Sequence, residues 1–317
     1  MKKKVRNTAL ILTLFVAAFL PVFLEEAVVA RDFGRLVCEK NSLYHSIFVY
    51  QQGSVVTLQF GKLPPVHMQS QVDLSDLREH RLEYTTLSFC GLLYKPEPKK
   101  VLVVGLGGGV IPRDMRHYFP DLNIDVVDID PEIPAIAKQY FAFAEDDKLK
   151  VHIDDGRMFI KKQLRADPAP KYDIIILDAF NGDYIPFHLM TREFLQEVKG
   201  VLSDDGVVIA NVFYSNRLFD AEFKTFLDVF GRCQAFYGYD SGNAMLASPG
   251  PSAPLLRVKQ AEAQAGTLAQ QHDFAFDMVV VARRLDPDST PAPDAKVLTD
   301  DRAPVDYLRK QETSNRP

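Results

Sequence analysis

The stretch VLVVGLGGGVIPRDM, residues 101–115, decides the fold class that the sequence predicts. Its first four residues form an unbroken apolar run, as in a parallel strand that is buried on both faces. Four glycines within residues 105–109 then let the backbone pass close to a ligand and turn into a helix. The run lacks the Gly-Lys-Ser/Thr ending of a phosphate-binding loop, and Val110 stands where a dinucleotide site favours Gly or Ala. By itself the glycine run fits a cofactor loop and a tight structural turn equally well.

Four more apolar runs follow, separated by segments with helical spacing. Strands are predicted at 124–127, 150–153, 173–177 and 207–212, and helices at 112–118, 131–143, 157–165 and 192–202. Strands that alternate with helices of this length form right-handed crossovers and a parallel sheet, so the predicted fold class is α/β. We also expect an antiparallel pair at one edge, from residues 244–247 and 278–282, with a helix at 254–271 between them.

Composition divides the chain into four parts. Residues 1–30 are interpreted as a signal peptide or membrane anchor, and residues 31–95 as a small N-terminal β-rich domain. Residues 96–285 are the predicted Rossmann-like domain, and residues 286–317 are a polar tail. Within the small domain we expect a hairpin around residues 51–54 and a helix over residues 74–93.

The N-terminal segment gives an expectation about location. Lys2, Lys3, Lys4 and Arg6 precede an apolar run at residues 8–24, which is the pattern of a secretory signal or a signal anchor. The positive end stays in the cytoplasm, so the rest of the chain would be exported or held at the inner membrane.

Composition and charge exclude several functional classes. The chain has 317 residues, of which 47% are hydrophobic and 25% charged, as in an ordinary globular enzyme. Its formal net charge of -5 provides no general basic field to attract nucleic acid. Three cysteines without a Cys-x-x-Cys pair indicate neither a disulfide framework nor a zinc site, so no metal is expected.

Acidic residues follow three successive predicted strands. Asp128 closes the second strand, Asp155 follows the third, and Asp178 follows the fourth. Ligands of an open parallel sheet bind beyond the carboxyl ends of its strands. An acid after the second strand there accepts hydrogen bonds from the ribose hydroxyls. Each acid has an alternative role as the cap of the following helix. Acids at three strand ends beside a glycine loop together favour an adenosyl-binding pocket at residues 101–110.

Five segments together resemble the spermidine synthase family of polyamine aminopropyltransferases. Four of them read VLVVGLGGGVIPRDM, DVVDIDPEI, VHIDDGRMFI and YDIIILDAF, and the fifth, YDSG at residues 239–242, is similar to the family's Tyr-Pro-Ser-Gly. Two more, DYIPFHL at residues 183–189 and LTDDRAP at residues 298–304, resemble a divergent bacterial subgroup of that family. The resemblance extends from about Leu36 to Arg284. It implies a Rossmann-like fold of the S-adenosylmethionine-dependent transferases, preceded by a small N-terminal β domain.

The resemblance also implies roles for the residues that match family motifs. Asp178 corresponds to the acid that deprotonates the attacking amine, and Tyr84 to the tyrosine that assists it. The implied cofactor contacts are Gly105, Gly107, Gly109, Asp128 on the ribose, Asp155 on the adenine, and Gln69. The implied substrate contacts are Tyr239, Asn181, Asp183 and His188. The donor would be decarboxylated S-adenosylmethionine or S-adenosylmethionine, and the acceptor a small-molecule amine. Such donors are made and kept inside cells, which places catalysis in the cytoplasm and conflicts with the location expected from the N-terminal segment. The sequence leaves this conflict open.

Two departures from the family's motifs keep alternatives open. Gly108 stands where the family's loop has the acid that pairs with the donor ammonium, and Asn181 stands where a second acid holds the diamine. Loss of a carboxylate that faces an ammonium costs about 2–5 kcal/mol of binding. The alternatives are an S-adenosylmethionine-dependent methyltransferase and a non-catalytic domain that binds a nucleoside or polyamine. A homodimer and membrane association through residues 8–24 are further expectations, and no nucleic-acid partner is expected.

Overall fold

Two β-sheets organise the chain. The computed structural model describes residues 33–61, 68–180 and 185–311. A four-stranded antiparallel sheet comes from the first part of the chain, and an eight-stranded mixed sheet from the rest. The signal or anchor segment predicted at residues 1–30 lies outside the described residues. In the part of the chain that is described, no helix has both the length and the apolar character needed to cross a bilayer.

The small sheet is a meander in which each strand pairs with the next. Its strands are β1 (Arg35–Asn41), β2 (Ser46–Gln52), β3 (Val55–Phe60) and β4 (Met68–Asp73). The β2–β3 turn passes through Gly53, whose φ is 62°, so the hairpin predicted around residues 51–54 is confirmed. Val49, Leu58 and Val72 are buried in a core shared with the large sheet, and the small sheet therefore packs directly on it.

The large sheet has five parallel strands and an antiparallel extension at one edge. Its strands are β5 (Lys100–Val104), β6 (Asn123–Asp128), β7 (Leu149–Ile153), β8 (Tyr172–Leu177), β9 (Leu202–Phe213), β10 (Gln234–Tyr237), β11 (Asn243–Pro249) and β12 (Leu285–Asp286). Their order across the sheet is β12-β10-β11-β9-β8-β5-β6-β7. Strands β5 to β9 confirm the five predicted strands. The order reverses between β5 and β8, which is where an open sheet of this kind binds its ligand.

Helices cover both faces of the large sheet. They are α1 (Glu83–Leu87), which continues as a 3-10 helix over Ser88–Leu93, α2 (Val110–Tyr118), α3 (Glu132–Tyr140), α4 (Gly156–Arg165), α5 (Arg192–Val201), α6 (Leu218–Phe230), α7 (Val258–Gln271), α8 (Met278–Arg283) and α9 (Val305–Arg309). A second 3-10 helix spans Phe187–Leu189. Successive side chains of a strand point to opposite faces, so the sheet separates two cores. On β5, Val101 and Val103 belong to one core, and Leu102 and Val104 to the other.

The helix predicted over residues 74–93 is shorter than expected. Helix α1 begins only at Glu83, and the residues before it form turns. The Asp73 carboxylate accepts hydrogen bonds from both the backbone N–H and the hydroxyl of Ser75. Local bonds of this kind compete with helix formation, so the first part of the prediction is wrong.

The antiparallel edge also differs from the prediction. Residues 278–282 lie in helix α8 and not in a strand, because Asp277 Oδ1 accepts a hydrogen bond from Val279 N and caps the helix. The partner of β11 at this edge is β10, over Gln234–Tyr237. Helix α6, between β9 and β10, has no counterpart in the sequence predictions.

Candidate active site

A cavity of about 670 Å³ lies where the small sheet meets the carboxyl ends of the parallel strands. This volume is within the range of cofactor and small-molecule sites. The lining combines the glycine loop, the acids at the strand ends, and side chains from the small sheet and α1. It includes Gly105, Gly107, Asp128, Asp155, Asp178, His45, Gln69, Tyr84, His188 and Asn211. The structure thus brings the acids from three successive strand ends around one cavity.

The glycine loop after β5 adopts backbone conformations that other residues rarely take. Gly105, Gly107 and Gly109 have φ angles of 101°, 53° and 75°. At Gly105 a Cβ atom would stand 2.3 Å from the carbonyl oxygen of Asp178. Glycine is therefore required at this position for two reasons: its backbone conformation, and the close approach of the Asp178 backbone at the end of β8.

Replacing Gly105 with Ala is expected to lower the free energy of unfolding by about 3 kcal/mol, because strain and a backbone clash coincide there. Urea unfolding measures the loss. Gly53→Ala is the matched control, since Gly53 also has a positive φ but nothing lies within 4 Å of its Cβ position. The control should lose about 1 kcal/mol. Equal losses in the two variants would contradict the close-approach argument.

Gly108 packs against protein and does not line the cavity. Its N–H donates to Ser70 Oγ at 2.8 Å. A Cβ atom at Gly108 would stand 2.7 Å from the Phe141 ring and 2.9 Å from Ser70 Cβ. A carboxylate at this position would require both neighbours to move. The packing around Gly108 therefore leaves no space for an acidic side chain at this position of the loop.

Asp128, the last residue of β6, has its carboxylate fixed by the backbone. Its Oδ2 accepts from Leu106 N at 2.9 Å, and its Oδ1 accepts from Asp130 N at 2.9 Å. Burial raises the pKa of Asp128, and the two N–H groups oppose that rise. This position, at the end of the second strand, is the one from which an acid accepts hydrogen bonds from a ribose.

His45 contributes a ring from the small sheet to the same part of the cavity. Its Nδ1 lies 3.0 Å from Asp130 Oδ2, which also accepts from Ser42 Oγ at 2.5 Å. The His45 ring stacks on Phe60 with 3.9 Å between the centroids. The ring is thus held in place on two sides. No motif points to His45, because its position depends on how the small sheet packs against β6.

Asp155 and His188 form a pair beyond the carboxyl end of β7. Asp155 Oδ2 lies 2.9 Å from His188 Nε2, and Asp155 Oδ1 caps α4 by accepting from Met158 N at 2.9 Å. The bond with His188 is the main cause that lowers the pKa of Asp155. Both oxygens have a protein partner, so an adenine amino group would share this carboxylate with His188 and the helix.

Asp178 is a half-buried acid on the cavity wall. Asn211 Nδ2 donates to Asp178 Oδ1 at 2.9 Å, and Asn243 Nδ2 donates to Asn211 Oδ1 at 2.8 Å. Burial raises the pKa of Asp178 to about 7, although the Asn211 bond acts in the opposite direction. Burial also raises the pKa of Tyr84, with a further contribution from Asp178, and the Tyr84 hydroxyl donates to Gln69 O at 2.8 Å. Asp178 can therefore exchange a proton near neutral pH.

The central part of the chain matches one protein family. The profile of the Spermine/spermidine synthase domain matches residues 82–237. A polyamine aminopropyltransferase from Vibrio vulnificus is 35% identical over 280 residues, which cover 86% of this chain and 91% of that protein. The chain belongs to the spermine/spermidine synthase family.

Two further comparisons extend the similarity to a methyltransferase and to a solved spermidine synthase structure. The eEF1A lysine and N-terminal methyltransferase from Mus musculus is 40% identical over 132 residues, or 38% of this chain and 19% of that protein. The crystal structure of spermidine synthase from Thermotoga maritima matches with a TM-score of 0.55 at 19% identity, covering 70% of this chain and 75% of that one. That likeness confirms the predicted Rossmann-like transferase fold with its small N-terminal sheet.

The structure places some of the predicted contact residues at the cavity and does not describe others. Gln69 and His188 line the cavity, whereas Asn181 and Asp183 lie outside the described residues. Across residues 33–61, 68–180 and 185–311, no group of three or more His, Cys, Asp or Glu side chains is arranged to hold a metal ion. The roles assigned to these residues stay predictions.

Tyr239, predicted to contact the amine, does not line the cavity. Its side chain is 71% exposed, and its ring lies 3.3 Å from the guanidinium carbon of Arg284. Its neighbours Asp240 and Ser241 line the cavity instead. The family motif thus reaches the cavity through the turn after Tyr239, and the contact with an amine stays a prediction.

Asn211 is a site residue that the sequence predictions omit. It lies in β9 and holds the Asp178 carboxylate. An asparagine inside the apolar run VVIANVF, residues 207–213, is the signal that could have revealed it, because a polar side chain within a buried strand needs a partner.

Proposed function

We propose that the protein transfers an aminopropyl group from decarboxylated S-adenosylmethionine to a small-molecule amine. The observation that carries the proposal is the half-buried carboxyl group of Asp178, which lines the same cavity as Asp128 and whose pKa is raised to about 7. The nucleophile must be a neutral amine, so a base with this pKa is needed beside it. The similarity to the Vibrio vulnificus polyamine aminopropyltransferase over most of both chains supports the choice.

The reaction is an in-line displacement at carbon. The amine nitrogen attacks the propyl carbon attached to the sulfonium, and a C–N bond forms as the C–S bond breaks. The electron pair of the broken bond goes to sulfur, which leaves as a neutral thioether and needs no acid. The proton released by the nitrogen passes to the Asp178 carboxylate. Catalysis otherwise depends on the alignment of nitrogen, carbon and sulfur.

We assign the donor to the part of the cavity between the glycine loop and β6. Leu106 N–H and Asp130 N–H hold the Asp128 carboxylate in one orientation. In that orientation it would accept hydrogen bonds from the ribose hydroxyls. Asp155, fixed by His188, would receive the adenine amino group. These residues bind and orient the donor, and Asp178 is left to act on the acceptor.

Methyl transfer from S-adenosylmethionine is the second candidate function. The similarity to the Mus musculus methyltransferase, 40% over 132 residues, favours it. The lack of an acid in the glycine loop also favours it, because the acid of the family's loop would repel the carboxylate that S-adenosylmethionine retains. A domain that only binds a nucleoside or polyamine is a weaker candidate, since binding alone needs no base beside the sulfonium.

Calorimetric titration of the full chain with the two donors separates these functions. We expect the decarboxylated donor to bind about ten-fold more tightly, a difference of about 1.4 kcal/mol, because the cavity is lined by acids that repel the extra carboxylate. The opposite preference would favour methyl transfer. Binding of neither donor would overturn the assignment of an adenosyl-dependent enzyme.

The location of the reaction is part of the proposal. We place catalysis in the cytoplasm because the donor is made and kept there, with attachment to the inner membrane through residues 8–24 and assembly as a homodimer. A reporter that folds only after export, fused after Pro317, tests the location. Reporter activity would contradict it, and light scattering of the purified chain measures the assembly.

A further inference from the structure

The segment LTDDRAP, residues 298–304, is anchored against the start of α5. Leu298 is buried and packs with Met190. Its N–H donates to Thr225 Oγ1 at 2.9 Å, and its carbonyl oxygen accepts from Arg192 N at 2.8 Å. The backbone of this segment is therefore held in one place beside α5.

Asp300, in the same segment, links the start of α5 to the start of α4. Its Oδ1 accepts from the hydroxyl of Thr191, the buried N-cap of α5, at 2.7 Å. Arg157, in the first turn of α4, donates through Nη1 and Nη2 to the two oxygens of Asp300 at 2.8 Å each. The same guanidinium donates to both oxygens of Glu197 on α5 at 2.9 Å. A planar guanidinium with two bidentate partners is held in one orientation, which fixes the two helix starts relative to each other.

The contact between Arg157 and Asp300 is an ion pair at neutral pH. The Arg157 guanidinium is the main cause that lowers the pKa of Asp300. The Asp300 carboxylate, followed by that of Glu197, raises the pKa of Arg157. Both groups of the contact therefore keep their charge in the range where the protein works.

The helix starts joined in this way carry the two halves of the Asp155–His188 pair. Asp155 is the N-cap of α4, two residues before Arg157, and His188 lies three residues before Thr191. The 2.9 Å bond between Asp155 and His188 thus depends on the distance between these helix starts. Groups of a binding site need to be held within about 0.5 Å. Asp300 is not among the described residues that line the cavity, so it contributes to this placement from outside.

We propose that Asp300 is a positioning residue for recognition of the adenine: through Arg157 and Thr191 it keeps the Asp155 carboxylate where it accepts the adenine amino group. The inference rests on the donor site assigned in the proposed function. A base with an oxygen in place of the amino group would be repelled by the same carboxylate. The placement of Asp155 therefore determines how strongly the cavity distinguishes the two bases.

Binding of two nucleosides tests this inference without turnover. Calorimetry compares 5′-methylthioadenosine with 5′-methylthioinosine, which has an oxygen in place of the adenine amino group. We expect the wild type to prefer the adenine compound about ten-fold, the size of one hydrogen bond to a charged group. In Asp300→Asn the preference should fall to about three-fold, because asparagine keeps the shape but loses the charge and one acceptor oxygen. Arg157→Lys keeps the charge without the bidentate geometry and should show a similar fall.

Asp301→Asn is the matched control, because Asp301 is the next residue, is exposed, and its side chain makes no hydrogen bond or ion pair with the described residues. It should keep the full preference. Asp155→Asn should abolish the preference, and adding Asp300→Asn to it should change nothing further, because Asp300 acts through Asp155.

Three results would overturn the inference. The first is a preference that stays at the wild-type value in Asp300→Asn and Arg157→Lys, even if thermal unfolding shows that both are less stable, because Asp300 would then only anchor the tail. The second is an equal loss of affinity for both nucleosides, and the third is a wild type without any preference. The proposed function fails separately, by the lack of an aminopropylated product, which this binding measurement does not require.

Discussion

Replacing Asp178 with Asn is expected to lower kcat by about 10³-fold, the usual contribution of a general base, and to leave donor affinity nearly unchanged. The asparagine has almost the same shape and can still bond to Asn211, but it cannot accept a proton from the amine. Steady-state kinetics measure kcat, and calorimetry measures donor affinity. The matched control is Asp147→Asn, because Asp147 is an exposed acid in the loop that enters β7 and does not line the cavity; this variant should match the wild type in both.

The pH dependence gives a second readout of the same residue. Burial raises the pKa of Asp178 to about 7, so its carboxylate is available as a base only above that pH. In the wild type kcat/KM should rise with pH through about 7, and Asp178→Asn should lack this rise. Unchanged turnover in the variant, or a rise that persists in it, would show that another group takes the proton.

Replacing Glu222 with Gln is expected to stabilise the protein strongly at alkaline pH. Glu222 lies in α6 with 3% of its surface exposed, beside the apolar side chains of Phe194, Val212 and Phe226. Burial raises its pKa from 4.5 to about 8. Between these two values the unfolded chain loses the proton while the folded chain keeps it, so stability falls as the pH rises. At one unit above the folded value the cost reaches about 5 kcal/mol.

The variant removes this pH dependence because glutamine does not ionise. Thermal unfolding should therefore show little difference between Glu222→Gln and the wild type near pH 4.5, and a difference that grows until about pH 8. Glu97→Gln is the matched control, since Glu97 is exposed and should show no such trend. A constant difference between Glu222→Gln and the wild type at all pH values would contradict the account.

The parallel strands could be predicted because their residue pattern has one interpretation. The run at residues 173–177 is apolar after its first residue and too short for a helix, and the structure has β8 at Tyr172–Leu177. The acids that follow such strands could be predicted as a group for the same reason. Parallel strands end at one edge of the sheet, which brings Asp128 and Asp178 to the same cavity.

Helix α8 shows where a sequence pattern misleads. Its three consecutive valines favour a strand by propensity. Met278, Val281 and Ala282 are buried at helical spacing, however, whereas Val280 is 43% exposed. The cap from Asp277 and the packing of one face therefore outweigh the propensity.

Contacts between segments that are distant in sequence could not be predicted. Glu83 binds the turn at residues 239–241, and Ser70 and Phe141 enclose Gly108, although no local pattern joins these positions. These contacts arise only when the small sheet and α1 pack on the large sheet. They determine that the Glu83 carboxylate is already hydrogen-bonded to the protein. They also leave no space for an acidic side chain at Gly108.

The central claim, aminopropyl transfer, is tested most directly by identifying the products. The full chain is incubated with decarboxylated S-adenosylmethionine and 1,4-diaminobutane, and the amines and nucleosides are analysed by mass spectrometry. We expect an acceptor with one aminopropyl group in place of a hydrogen, together with an equal amount of 5′-methylthioadenosine. The absence of any modified amine would contradict the proposed transfer. So would a product that gains only a methyl group when S-adenosylmethionine replaces the decarboxylated donor.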